Sequence, residues 1–189
     1  MEVSKLKIEE VVLITPRRFG DDRGYFSETF KDEWFRNTIE DVAFVQDNQS
    51  LSVTPGTLRG LHYQLDPFAQ GKLVRCIAGS IFDVAVDIRE GSATFGQWVG
   101  AVLTAEVGEQ LWIPTGFAHG FCTLQPDTAV VYKVTAPYSK DHDRGIRFDD
   151  PAIGIEWPVS ADSAMLSEKD KVQPLLKDAG PGFTYKKRN

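Results

Sequence analysis

The sequence predicts a mainly β chain, a sandwich or barrel with a few short peripheral helices, and three observations carry that prediction. Short segments rich in β-branched and aromatic residues recur between Gly, Pro and Asp punctuation: VVLIT, YFSETF, LVRCIA, IFDVAVDIR, QWVGAVLT, QLWIP, GFCTL and AVVYKV. Several of them alternate side chains with the two-residue period of a strand. Helix signals are sparse, and no internal repeat, low-complexity tract or linker interrupts the chain.

In chain order, the amino-terminal MEVSKLKIEE alternates charge with aliphatic residues and lacks the apolar run of a signal peptide. No window reaches the roughly 20 apolar residues of a membrane helix, so a cytoplasmic protein is expected. FGDDRGYF reads as a hairpin turn between strands, and KDEWFRNTI (31–39) as a short helix. IFDVAVDIR sets Phe82, Val84, Val86 and Ile88 against Asp83, Ala85 and Asp87, the pattern of a half-buried strand. AVVYKV puts Val130, Tyr132 and Val134 on one face, which predicts an inward Tyr132. SKDHDRG (139–145), with His142, reads as a solvated loop. ADSAMLSEKDKVQPLL (161–176) is the better helix candidate, interrupted by Pro174, and the terminal KKRN reads as a tail.

At 189 residues the chain is expected to form one domain over 1–189, with enough core to need no disulfide or structural metal. A net charge of -6 and a pI near 5.1 argue against a general nucleic-acid binder, so any anionic ligand must be held by local cations. Cys76 and Cys122 lie in apolar runs without a second thiol at metal-binding spacing and are expected as buried free thiols.

Two stretches carry the spacing of the cupin jelly-roll motifs. Gly108 to His119 fits G-x5-P-x-G-x2-H through Pro114 and Gly116. Gly56 to His62 begins the partner motif G-x5-H-x-H, but Gln64 replaces the second histidine and Phe68 and Ala69 stand where a glutamate would follow. A neutral amide is a poor substitute for imidazole or carboxylate, so no metal is expected. The fold inference survives, because glycines and proline at those spacings shape hairpins whatever the barrel holds. His62 and His119 are then either core residues with satisfied hydrogen bonds or proton-transfer groups. Arg59, Lys72 and Tyr132 nearby could hold phosphate, stabilise an oxyanion and exchange a proton.

Eight segments in order resemble the dTDP-4-dehydrorhamnose 3,5-epimerase family over nearly the whole chain. They are PRRFGDDRGYFSETF (16–30), FVQDNQS (44–50), TLRGLHYQ (57–64), QGKLVRC (70–76), GSIFDVAVDIR (79–89), WIPTGFAHGF (112–121), VVYKVTAPYS (130–139) and LSEKD (166–170). The resemblance implies a cupin-type jelly roll, a homodimer and an epimerase without cofactor, acting on a dTDP-4-keto-6-deoxy sugar with no nucleic-acid or membrane partner. It assigns His62 as general base, Asp170 as the carboxylate paired with it, Tyr132 as proton donor on the opposite face, and Lys72 as the cation near the developing enolate oxygen. Arg23 and Arg59 match positions that hold the nucleotide and its phosphates, and Phe19 and Glu28 accompany Arg23. Whether that segment serves its own subunit or the partner stays open.

Gln46 and Asn48 match polar contacts to the nucleotide, Tyr138 a stacking partner for the base, and His119 a place beside the sugar. Asp83, an acid inside an apolar strand, is expected to orient an imidazole. Ser167-Glu168-Lys169-Asp170 is also a capping-box pattern, in which the acid would support a helix start. Gln49 departs from the family's QDNHS, and so bears on nucleotide affinity or subclass if that position touches ligand. A mono-epimerase of another deoxysugar, a non-catalytic sugar-nucleotide-binding module and a metallo-cupin oxygenase are the competing functions.

Overall fold

Alternating apolar side chains build two antiparallel sheets in the computed structural model, which describes residues 1–180 and 182–185. The larger sheet runs in the order β1 (Glu2–Lys5), β2 (Val12–Thr15), β11 (Gln110–Ile113), β7 (Lys72–Ala78), β13 (Thr128–Val134) and β5 (Gln46–Ser52). The smaller runs β10 (Trp98–Thr104), β8 (Ser80–Asp87), β12 (Phe117–Thr123), β6 (Leu58–Gln64) and β14 (Asp143–Gly145). Neighbours in the sheets are mostly distant in sequence, which is the wiring of the expected cupin-type jelly roll. The hairpin β3 (Arg18–Asp21) with β4 (Gly24–Ser27) projects separately, and β9 (Arg89–Glu90) pairs with β15 (Phe183–Thr184).

The core between the sheets takes Val74, Cys76, Leu111, Ile113 and Val130 from one side and Ile81, Ala85, Leu103, Phe117 and Phe121 from the other, with Tyr132 packed against it as its strand phase predicts. Both cysteines are buried free thiols. The helix α1 (Asp32–Thr38) lies on the other face of the larger sheet, where Phe35 packs edge-on against Trp112 with Phe30 and Phe44. Each such aromatic pair contributes roughly 0.5–1.5 kcal/mol beyond its buried area.

Four expectations are corrected. IFDVAVDIR is not half-buried: Val84 and Val86 pack beneath Ile146, Ile153, Trp157 and Phe183, while Asp83, Ala85 and Asp87 are fully buried on the opposite face. The carboxyl-terminal segment thus covers the smaller sheet, and strand alternation alone does not reveal a second cover. SKDHDRG is not wholly a loop, because Asp143–Gly145 pairs with Gln64, Tyr63 and His62 as β14. His142 is half-buried against Phe68, with Nδ1 hydrogen-bonded to Ser139 Oγ. The helix expected at 161–176 shrinks to the single turn α2 (Glu168–Lys171), followed by a 3-10 turn at Leu176–Asp178. Met165 instead bridges to Thr57 beside β6, and that pairing outweighs the helix propensity of the preceding residues. The KKRN tail lies outside the described residues.

Between β6 and β12 the register contains one irregularity. His62 pairs with His119 and Arg59 with Phe121, so three steps on β6 match two on β12. This is a β-bulge, which places an extra residue on one strand and re-aims its side chains. Gly60, inside it, has φ +131°, and a Cβ there would lie 2.5 Å from the Cα of Gly120. Gly60→Ala is therefore expected to lower stability by about 3 kcal/mol, from backbone strain and the clash together. Urea unfolding followed by tryptophan fluorescence measures it, and an unchanged midpoint would show that the bulge tolerates a side chain.

Candidate active site

The cleft that opens between the sheets has two adjoining lobes, of about 240 and about 410 Å³, and His62 and Tyr132 stand in the wall of both. The smaller lobe adds Gln46, Asn48, Gln64, Lys72, Tyr138, Asp143 and Lys169. The larger adds Ser50, Arg59, His119, Phe121, Met165, Ser167 and Asp170.

The bulge decides part of this inventory. Residues three apart on a regular strand face opposite sides, yet Arg59 and His62 both line the cleft because β6 carries the extra residue between them. Leu61 and Tyr63 are thereby left on the covered outer face of the sheet. Arg59 is fastened through Nε to Ser52 Oγ at 3.2 Å and through Nη2 to the carbonyl of Leu51 at 3.1 Å.

Two histidine–carboxylate pairs stand side by side. His62 Nε2 meets Asp170 Oδ1 at 2.5 Å, across 108 residues of sequence. His119 Nε2 meets Asp83 Oδ1 at 2.7 Å, with both side chains buried. In its neutral form, an imidazole that donates Nε2–H to its carboxylate keeps an unshared pair on Nδ1. Burial pushes the Asp170 carboxyl up, but the hydrogen bond and charge of His62, with help from Ser167 and Lys169, hold it below its usual value. Burial lowers His119, and although Asp83 opposes this the net shift keeps the imidazole neutral at pH 7.

Lys72 and Tyr132 are adjusted by the same desolvation. The Lys72 ammonium is buried, donates to the carbonyl of His62 at 3.2 Å, and is pulled down to about 8 by burial against the partial support of Asp143 and Asp83. Burial raises the Tyr132 phenol, with Arg59 opposing, so it stays protonated at neutral pH. Among the described residues its hydroxyl has no hydrogen-bond partner, which leaves the proton available to a ligand.

Gln64, at the position where a cupin metal ligand would stand, is committed to the loop at 137–139. Its amide donates to the carbonyls of Phe68 and Pro137 at 2.7 and 3.1 Å and accepts from the Ser139 N–H at 2.8 Å. Gln46 accepts from the Tyr138 N–H at 3.1 Å and donates to Asn48 Oδ1 at 2.7 Å. Tyr138 itself stays exposed at the rim, its hydroxyl 3.3 Å from Asp143, which also receives Lys169. Among the described residues no cluster of three or more His, Cys, Asp or Glu side chains is placed to hold a metal.

The sequence-predicted residues thus divide. His62, Lys72, Tyr132, Asp170, Gln46, Asn48, Arg59, His119 and Tyr138 line the cleft, and Asp83 stands behind His119. Phe19, Arg23 and Glu28 do not: they are exposed on or beside the β3–β4 hairpin, with Arg23 paired to Asp21 and Phe19 under the guanidinium of Arg17. Gln49 alternates to the outer face of β5 and lies outside both lobes. Among the lining residues that sequence reasoning missed are Ser50, Asp143, Ser167 and Lys169. The SEKD run was the available signal for the last two, but it reads equally as a cap. In the structure the Ser167 hydroxyl caps the turn, while the Asp170 carboxylate faces His62 and does not reach back to the backbone of the cap.

The chain is similar to known proteins along nearly its full length. Residues 5–178 match the sequence model of the family described as dTDP-4-dehydrorhamnose 3,5-epimerase. A dTDP-4-dehydrorhamnose 3,5-epimerase from Sinorhizobium fredii is 60% identical over 187 residues, covering 99% of this chain and 95% of its own. The crystal structure of an epimerase from Legionella pneumophila in complex with dTDP-4-keto-L-rhamnose superimposes with a TM-score of 0.93 at 43% identity, over 98% of this chain and 99% of that one. A 3'-monoepimerase from Streptomyces bikiniensis in complex with dTDP-quinovose is more distant, at 32% identity and a TM-score of 0.85, over 92% of this chain and 87% of that one.

Burial of Lys72 has a consequence for stability. Its pKa falls from 10.5 unfolded to about 8 folded, so between those values the unfolded chain binds more protons and stability rises with pH. Removing the group should therefore help most below pH 8. Lys72→Met is expected to exceed the wild type at pH 7 by as much as roughly 3 kcal/mol, with the advantage shrinking toward pH 10.5. Urea unfolding of both proteins across that range measures the difference, and a constant gap would mean that Lys72 titrates normally.

Proposed function

The chain belongs to the dTDP-4-dehydrorhamnose 3,5-epimerase family, and from that premise we propose that it inverts carbons 3 and 5 of dTDP-4-dehydro-6-deoxy-D-glucose. The product is dTDP-4-dehydro-L-rhamnose, on the way to dTDP-L-rhamnose. The observation that carries this reading is the His62–Asp170 pair at 2.5 Å in the same cleft as a protonated Tyr132.

The substrate's ketone at carbon 4 acidifies the hydrogens at carbons 3 and 5, because the electron pair left by either proton delocalises onto the carbonyl oxygen. His62 takes the proton through Nδ1, while Asp170 fixes the tautomer and stabilises the imidazolium. Lys72 offers a desolvated positive charge to the developing enolate oxygen, where it lowers the barrier more than it would in water. Tyr132 returns a proton to the opposite face, which inverts the centre. The carbonyl already in the substrate supplies the acidity, so the reaction needs no cofactor.

Arg59 serves the pyrophosphate, while Gln46, Asn48 and Tyr138 serve the nucleotide. Phe19, Arg23 and Glu28 act on the nucleotide side of a partner's cleft in a homodimer. Support for this is the projecting hairpin, which exposes Phe19, Tyr25 and Phe26 outside the chain's own cleft. Among the described residues no helix is long and apolar enough to cross a membrane, and we assign the enzyme, as a single domain, to the cytoplasm. Double rather than single inversion is supported by 60% identity to a named 3,5-epimerase against 32% to the 3'-monoepimerase.

Proton NMR in deuterium oxide with the 4-keto sugar nucleotide should show solvent deuterium entering carbons 3 and 5; exchange at one carbon would select a mono-epimerase, and none would exclude catalysis. His62→Ala and Asp170→Asn are expected to slow exchange by about 10²- to 10⁴-fold. In the wild type kcat/KM should fall as pH rises through about 8, where Lys72 loses its charge. A profile flat to pH 9 would remove Lys72 from the mechanism.

A further inference from the structure

Asp170 owes its place to an element too short to hold it alone. α2 has four residues, and an isolated single turn is unstable in water because nucleation outweighs its one or two hydrogen bonds. The carboxylate is nonetheless buried, with 3% of its side chain exposed, and each oxygen has one partner. Oδ1 goes to His62; Oδ2 accepts from the hydroxyl of Ser167 at 2.8 Å. The same hydroxyl oxygen accepts the Asp170 backbone N–H at 3.1 Å. Ser167 therefore holds residue 170 at both ends, using its proton for the carboxylate and a lone pair for the amide.

Resting on the epimerase reading above, we infer that Ser167 is a positioning residue for the reaction, holding the Asp170 carboxylate so that its other oxygen meets His62. In a capping box the acid at the third helical position reaches back to the backbone of the cap. Here the cap's side chain reaches forward to the acid instead, which releases the carboxylate for the imidazole. Without that donor the carboxylate is free to rotate about its side-chain bonds, and among the described residues His62 is then its one remaining hydrogen-bond partner.

Two substitutions separate positioning from helix capping. Glycine is nearly as good an N-cap as serine but has no hydroxyl, and threonine keeps both functions. S167G is expected to lower kcat about tenfold, equivalent to about 1.4 kcal/mol of barrier. KM, calorimetric affinity for dTDP and the urea midpoint should stay near wild type, and S167T should restore kcat. The inference is overturned if S167G turns over like the wild type, if its loss appears equally in KM and dTDP affinity, or if S167T is as slow as S167G. Deuterium exchange by the wild type and by Asp170→Asn runs alongside. If the wild type fails to exchange, the epimerase reading falls and this inference with it. If only Asp170→Asn fails while S167G does not, the role of Ser167 alone is lost.

Discussion

One more residue on β6 than on β12, between the paired positions His62–His119 and Arg59–Phe121, decides what the cleft contains. Strand alternation would send Arg59 and His62 to opposite faces. The extra residue resets the phase, so the cation and the imidazole share one cavity while Leu61 and Tyr63 remain packed under the carboxyl-terminal cover. The constraint is steric as well as topological. Gly60 and Gly120 face each other with no room for a side chain on either, so β6 and β12 approach there only as glycine backbone. A slip of the register by one residue would exchange the buried and cleft-lining sets on the strand that carries His62.

Around that frame, burial sets the chemistry. The chain carries a net charge of -6, yet the cleft holds Lys72 and Arg59 near its centre and Lys169 at its rim. Desolvation weakens the hold of Lys72 on its proton and strengthens that of Tyr132. It also keeps His119 neutral, whereas Asp170 stays ionised because its hydrogen bonds outweigh its burial. Groups whose ordinary pKa values are far apart are thereby brought toward protonation states suited to proton transfer near neutral pH.

Much of the fold was legible because the jelly roll repeats one local pattern: β-branched and aromatic runs broken by Gly, Pro and Asp. The failures share one cause. IFDVAVDIR looks half-buried and the 161–176 segment looks helical only when tertiary partners are ignored. The cover formed by Ile146, Ile153, Trp157 and Phe183, and the bridge from Met165 to Thr57, are contacts between residues far apart in the chain. Of the site, the groups with distinctive chemistry were visible, whereas Ser50, Asp143 and Ser167 were not. A serine or aspartate in a polar loop carries no signature until a neighbour is set beside it.

By itself the sequence determined the β class, the loss of the cupin ligand pattern at Gln64, and the set of imidazole, phenol, carboxylate and cationic side chains, because periodicity, motif spacing and residue chemistry are local properties. Only the tertiary structure decided which of those side chains meet. The His62–Asp170 contact spans 108 positions, the phase of Arg59 depends on a bulge, and Phe19, Arg23 and Glu28 fall outside the chain's own cleft. Each of these turns on how strands distant in sequence are registered against one another, and registration follows from packing across the whole barrel.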